Sequence, residues 1–117
     1  PCVRYENGWY YVMYLERRAP RWQFETWVTR SRDLRHWELS PANPVLRADG
    51  LDEGINASDP DIVEVNGSTF IYFAVGDQRT WMNVKKTRYP GTMRQFYESW
   101  FVTPGVPDCG AISFAVQ

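Results

Sequence analysis

Residues that build metal centres and disulfide frameworks are nearly absent from this sequence. The 117-residue chain has two cysteines, Cys2 and Cys109, and a single histidine, His36. Two cysteines near opposite ends make no disulfide framework and read as free buried thiols. No Cys/His cluster has the spacing of a zinc site, so neither a metal nor a cofactor is expected. Charge of one sign is missing too. The formal net charge is -1 with the signs interspersed, which leaves no electrostatic footprint for nucleic acid or a membrane surface. No apolar run approaches the roughly 20 residues of a membrane-spanning helix. No stretch reads as a signal peptide, which slightly favours the cytoplasm. The chain opens on Pro1 rather than Met, so a longer natural chain is one expectation.

What is present is apolar and aromatic. Hydrophobic residues make up 44% and charged residues 23%, a globular composition rather than a disordered one. The length normally means one domain. An aromatic content of 16% fits an all-β core or a stacking site for flat ligands.

The stretch from Asn56 to Gly67 organises the chain. Asp59-Pro60-Asp61 sets two carboxylates around a rigid residue. Ile62, Val63 and Val65 form a β-branched run suited to a strand. Asn66-Gly67 then gives a strong hairpin signal, because a type I′ turn needs φ > 0 at both central positions. Thr69 to Phe73 returns as a second strand. Asp59 and Asp61, two residues apart on a strand, would share a face about 6.6 Å apart, unless Pro60 breaks the alternation.

The same pattern occurs earlier. Asn7-Gly8 recurs as Asn66-Gly67, an offset of 66 − 7 = 59. At that offset Val3 falls on Ile62, Tyr11 on Phe70, Val12 on Ile71 and Tyr14 on Phe73. Residues 27–31 resemble residues 83–87 at an offset of 56. The first copy reads as strands at 3–6, 9–16, 23–30 and 37–39, with Pro41 and Pro44 ending the pairing. The second reads as strands at 61–65, 69–75 and 81–86. Thr92 then caps a helical turn over 93–99, and 100–102 returns to strand. Four antiparallel strands repeated at this spacing are the signature of propeller blades. The expected organisation is a blade over 1–47, a linker and second blade over 48–102, and an unassigned tail over 103–117.

Strand direction gathers one set of residues at a single rim. Asp59 opens an inner strand there. The returning strand brings Gly76, Asp77, Gln78 and Arg79 to the same end, and the third strand starts there with Trp81. In the first copy Glu16, Arg17, Arg18, Trp22, Phe24 and Glu25 fall at that rim. Carboxylates and amides beside aromatic faces suit a sugar, whose hydroxyls need polar partners and whose ring has an apolar side. His36 falls at the opposite rim. Trp37 and Trp100 read as core.

These residues also carry a resemblance. Ser31-Arg32-Asp33-Leu34-Arg35-His36-Trp37-Glu38 resembles the recurrent turn between third and fourth strands of the five-bladed propeller glycoside hydrolases, family 43 and its relatives. Asn56-Ala57-Ser58-Asp59-Pro60-Asp61 resembles their third-blade entry. The resemblance covers residues 1–101. It implies a fragment of a five-bladed β-propeller. In that family three axial carboxylates act as base, acid and a residue that tunes the acid. By position Asp59 resembles the tuning aspartate, while no residue here matches the base or the acid. Inversion at a sugar needs one protonated and one ionised carboxyl about 6.5–9.5 Å apart, which close like charges help to arrange.

The resulting expectation is a glycoside hydrolase or a part of one, acting on an oligo- or polysaccharide. Asp59, Asp61 and Glu25 are the candidate catalytic carboxylates. Asn56, Trp22, Asp77, Gln78 and Trp81 are the candidate substrate contacts. The alternative is a non-catalytic carbohydrate-binding or assembly module using the same face. Two blades leave open apolar faces, so either self-association or the remainder of a longer chain is expected to cover them.

Overall fold

The computed structural model describes residues 2–18, 23–48 and 54–102. Among them are seven strands and one short helix: β1 (Cys2–Glu6), β2 (Trp9–Arg18), β3 (Gln23–Ser31), β4 (Glu38–Leu39), β5 (Asn56–Val65), β6 (Ser68–Gly76), β7 (Met82–Tyr89) and α1 (Met93–Ser99). Apart from that helix the architecture is all-β. The strands form one open sheet in the order β1-β2-β3-β5-β6-β7, with β4 added to β3. Neighbours are antiparallel except β3 and β5, which run parallel and meet at the pair Phe24↔Asn56. Trp22, Cys109 and the expected tail lie outside the described residues.

Both Asn-Gly turns take the conformation their sequence predicts. Asn7 and Gly8 have φ of 50° and 85°, and Asn66 and Gly67 have 50° and 76°. The hairpins they close are in identical register 59 residues apart: Val3↔Val12 recurs as Ile62↔Ile71, and Arg4↔Tyr11 as Val63↔Phe70. The third strand corrects the expected alignment. Tyr14↔Trp27 recurs as Phe73↔Lys85, and Val12↔Thr29 as Ile71↔Thr87. The offset there is 58 rather than 56. A slip of two residues keeps every side chain on its own face, so the hydrophobic pattern alone does not distinguish the two registers.

The core lies between the two strand groups. Tyr11, Met13 and Val28 from β2 and β3 are buried in one cluster with Ile62, Ile71, Phe73 and Val75 from β5 and β6. Each such large side chain contributes about 1.5–3 kcal/mol of transfer free energy. Arg4 crosses the same seam, donating from Nη2 to the Ile62 carbonyl at 3.0 Å. The helix plugs one end of the seam. Thr92 caps it, accepting from the Gln95 N–H while Gln95 Oε1 accepts from the Thr92 N–H, a reciprocal capping box. Its Phe96, Tyr97 and the following Trp100 are buried, and Tyr97 stacks on Tyr11 at 4.7 Å.

Several expected boundaries move. The strand expected from Asp61 begins at Asn56, because residues 56–58 pair with 74–76 ahead of a bulge between Ser58 and Asp61. Residues 100–102 are not a strand: Trp100 is the helix C-cap, and Phe101 donates its N–H to the Glu98 carbonyl. Trp37 is 46% exposed rather than core, since it precedes a two-residue strand that pairs only with the end of β3. The two prolines do not end the contacts of the chain with β3. The Asn43 amide both accepts from and donates to the Val28 backbone, and Thr26 exchanges backbone bonds with Val45 and Leu46. Cys2 is a free, half-buried thiol.

Candidate functional site

One end of the β5–β6–β7 hairpins carries an open hollow of about 360 Å³, lined by Asn56, Val75, Gly76, Gln78, Arg79, Thr80, Trp81 and Met82. Asn56 comes from the start of β5, opposite Gly76 at the end of β6. Gly76 in turn faces Met82 at the start of β7. The start of β3 is at the same end, where the Phe24 N–H donates to the Ile55 carbonyl at 2.8 Å. Asn66-Gly67 closes the opposite end of β5 and β6.

Asp77 holds the turn that carries the lining residues 78–81. Its Oδ1 accepts from the N–H groups of Arg79 at 2.8 Å, Thr80 at 2.7 Å and Trp81 at 3.2 Å, and Oδ2 accepts from the Thr80 hydroxyl. These donors, the Thr80 hydroxyl foremost, hold the Asp77 carboxyl well below the usual range. The carboxylate is therefore committed to the turn and serves as its scaffold. Gly76 makes the turn possible. A Cβ there would lie 2.4 Å from the Trp81 carbonyl oxygen. A Cβ at Gly54 would lie 2.3 Å from the Gly76 carbonyl oxygen.

Two lining residues of the hollow stand out. Trp81 is 38% exposed, although large aromatic rings normally bury most of their surface. Asn56 is only 4% exposed. Its Nδ2 donates to the Ala74 carbonyl at 3.2 Å, while its Oδ1 is buried with no partner among the described residues. A buried carbonyl oxygen left unsatisfied costs roughly 1–3 kcal/mol, a cost that a donor from a bound molecule would remove.

The three candidate carboxylates are spread. Asp59 lies at the bulge of β5 with φ of 53°, is exposed, and accepts the Ser58 hydroxyl at 2.9 Å. Asp61 is exposed, paired with Tyr72, and accepts from the Ile62 N–H. It stands on the side of β5 away from the core. Glu25 is buried and lies opposite Glu16 across β2 and β3, on the side of those strands away from the core. Glu25 and Asp61 thus lie on different sides of the two strand groups, and only Asp61 is exposed. Of the expected substrate contacts, Asn56, Gln78 and Trp81 meet in the hollow, Asp77 supports it, and Trp22 is outside the described residues. Arg79 was expected at this rim though not as a substrate contact, and Thr80 and Met82 were not expected there. The Gly-Asp-x-x-Thr-Trp spacing, an Asx-type turn, is the signal that points to them.

The opposite end has a second hollow of about 340 Å³, lined by Trp9, Arg32, Asp33, His36, Trp37 and Glu38. The Arg30 and Arg32 guanidinium groups lie 4.0 and 4.3 Å from the Trp9 ring centre. Asp33 closes this turn as Asp77 closes the other, accepting at Oδ1 from the N–H groups of Arg35 and His36. The His36 N–H first, and then its ring, hold the Asp33 carboxyl well below its usual range. His36 Nδ1 lies 2.7 Å from Asp33 Oδ2, which raises the imidazole pKa. His36 itself is exposed and remote from the first hollow.

Among the described residues no group of three or more His, Cys, Asp or Glu could hold a metal ion, and no helix is long and apolar enough to cross a membrane. Comparison with protein-family models, with curated proteins and with solved structures returned no match to the chain.

Proposed function

We propose that this chain is the sugar-recognising part of a β-propeller glycoside hydrolase, two blades of a five-bladed ring. The observation that carries the reading is the pairing of an unpartnered, buried Asn56 Oδ1 with a half-exposed Trp81 around one open hollow. The indole offers an apolar platform for one face of a sugar ring, and the amide oxygen accepts a hydroxyl. Gln78 and Thr80 add exposed polar groups at the rim. In this reading Asp59 tunes and orients a general acid. Asp61 is exposed on the side of β5 away from the core, where it would work with carboxylates from neighbouring blades, and Glu25 is buried on the far side of β3. Two observations support this reading: the second hairpin repeats the register of the first, and buried residues of both strand groups share one core cluster.

A non-catalytic binding module is the second reading. It is favoured by the separation of Glu25 from Asp61 on different sides of the two strand groups. Both readings share the hollow and differ in turnover. The test is to titrate neutral oligosaccharides of arabinose, xylose, galactose and glucose into the chain and to assay the same sugars for new reducing ends. Binding with hydrolysis that Asp59→Asn abolishes supports the enzyme. Binding without hydrolysis by the chain supports the module. No binding of any sugar contradicts both.

A further inference from the structure

The two copies of the repeat close the rim of the Asn-Gly turns differently. Tyr11↔Arg30 recurs as Phe70↔Arg88, and Glu6↔Trp9 as Val65↔Ser68. In the second copy Arg88 is satisfied locally, its Nε and Nη2 donating to the Ser68 hydroxyl at 3.1 and 2.8 Å. In the first copy Trp9 stands in the place of Ser68, and two guanidinium groups lie against its ring, Arg30 at 4.0 Å and Arg32 at 4.3 Å. Arg32 has no counterpart, because Pro90 falls at its position one residue beyond the pair Thr69↔Tyr89. The fold thus closes this rim once without an indole and without a second arginine.

Around the second hollow, all the charged side chains except Arg32 have partners. Arg30 holds Glu38 with two bonds, Nε to Oε2 at 3.2 Å and Nη2 to Oε1 at 3.1 Å. Asp33 accepts from the Ser31 hydroxyl and two backbone N–H groups, and its other oxygen meets the His36 ring. Arg32 makes no hydrogen bond or ion pair with any described residue. The Trp9 ring supports its guanidinium, and its N–H donors stay free. Such a planar fork matches a carboxylate bidentately. Trp37 lines the same hollow with 46% of its surface exposed, a platform for a ring. Glu38 and His36 are exposed around it and can exchange hydrogen bonds with hydroxyls. The hollow lies at strand ends and in the β3–β4 turn, not on a sheet face, so strands packed against either face leave it open.

We propose that this second hollow binds an acidic sugar, a uronate whose carboxylate pairs with Arg32 and whose ring lies against Trp37. An aromatic acid would satisfy Arg32 and Trp37 and leave Glu38 and His36 without hydroxyl partners. The site is at the opposite end of the strands from Asn56 and Trp81, and it stands whether or not the first hollow binds neutral sugars.

Calorimetric titration of glucuronate and galacturonate into the chain tests the proposal, with glucose and galactose as their neutral parents and acetate and benzoate as carboxylates without a sugar ring. The wild type should bind at least one uronate at least tenfold more tightly than its neutral parent, and more tightly than acetate or benzoate. Arg32→Gln should abolish that preference, and Trp37→Ala should weaken uronate binding at least fivefold. Both side chains are exposed, so circular dichroism should report an unchanged fold. Trp81→Ala should keep the preference in full. A wild type without the preference would overturn the proposal, as would a preference that survives Arg32→Gln or uronate binding that Trp37→Ala leaves unchanged. Loss of the preference in Trp81→Ala would move the uronate to the first hollow and overturn it too. Acetate or benzoate bound as tightly as the uronate would overturn the assignment to a sugar.

Discussion

Replacing Gly76 by alanine perturbs the hollow at its tightest point. The new Cβ would sit 2.4 Å from the Trp81 carbonyl oxygen and 3.0 Å from the Met82 Cα. Both contacts are backbone, so no flexible side chain can yield. The start of β7 must move, and the Asp77 N–H to Trp81 carbonyl bond at 3.4 Å is lost with it. Overpacking of this kind costs about 1–3 kcal/mol, and the hydrogen bond adds about 0.5–1 kcal/mol. The expected loss is about 2–4 kcal/mol, or roughly 8–15 °C in Tm for a chain of this size. Urea unfolding measures it. Gly8→Ala is the control, because a Cβ there meets nothing within 4 Å although φ is 85°, so only backbone strain of about 1–2 kcal/mol is expected. Sugar binding should fall in Gly76→Ala and not in Gly8→Ala. A Gly76→Ala protein no less stable than Gly8→Ala would refute the reasoning.

Three further outcomes are expected. Thr26→Val removes the buried hydroxyl that donates to the Ala57 carbonyl at 2.8 Å. It should cost about 0.5–1.5 kcal/mol in urea unfolding, the usual net worth of one lost hydrogen bond. Asp33 has a depressed folded pKa, so its contribution is complete above the ordinary carboxylate value of about 3.9 and lost as pH falls below it. His36 has a raised one, so its contribution is complete below about 6.5 and lost as pH rises through the raised value. Asp33→Asn should flatten both limbs of a plot of the unfolding midpoint against pH. His36→Ala should flatten the upper limb and leave sugar binding within twofold of wild type in calorimetric titration.

The hairpins were legible in the sequence because turn chemistry and alternation act locally. Asn7-Gly8 and Asn66-Gly67 each specify φ > 0 at two successive positions, and the β-branched runs beside them have only one buried face to offer. The capped helix over 93–99 was legible for the same reason, since Thr92 and Gln95 satisfy each other's backbone. What was hidden depends on distant partners. The bulge at Asp59 is set by how residues 56–58 pair with 74–76 across the hairpin. The two-residue difference in the third strand leaves every face unchanged. Trp37 carries the same side chain in a core or on a surface, and only the shortness of β4 decides between them. In the hollow, Asn56, Gln78 and Trp81 were expected from strand direction. That Asp77 would be consumed by its own turn was not, because a carboxylate after glycine can equally serve a ligand or the backbone.

Calorimetric titration of neutral oligosaccharides into the wild type, Trp81→Ala and Asn56→Ala measures whether the hollow recognises a sugar. The wild type should bind at least one of them, Trp81→Ala should lose at least tenfold in affinity through the missing platform, and Asn56→Ala should lose a comparable amount while keeping the fold. Binding that is unchanged in both variants, or absent from the wild type for every sugar tried, would contradict a carbohydrate site at Asn56 and Trp81.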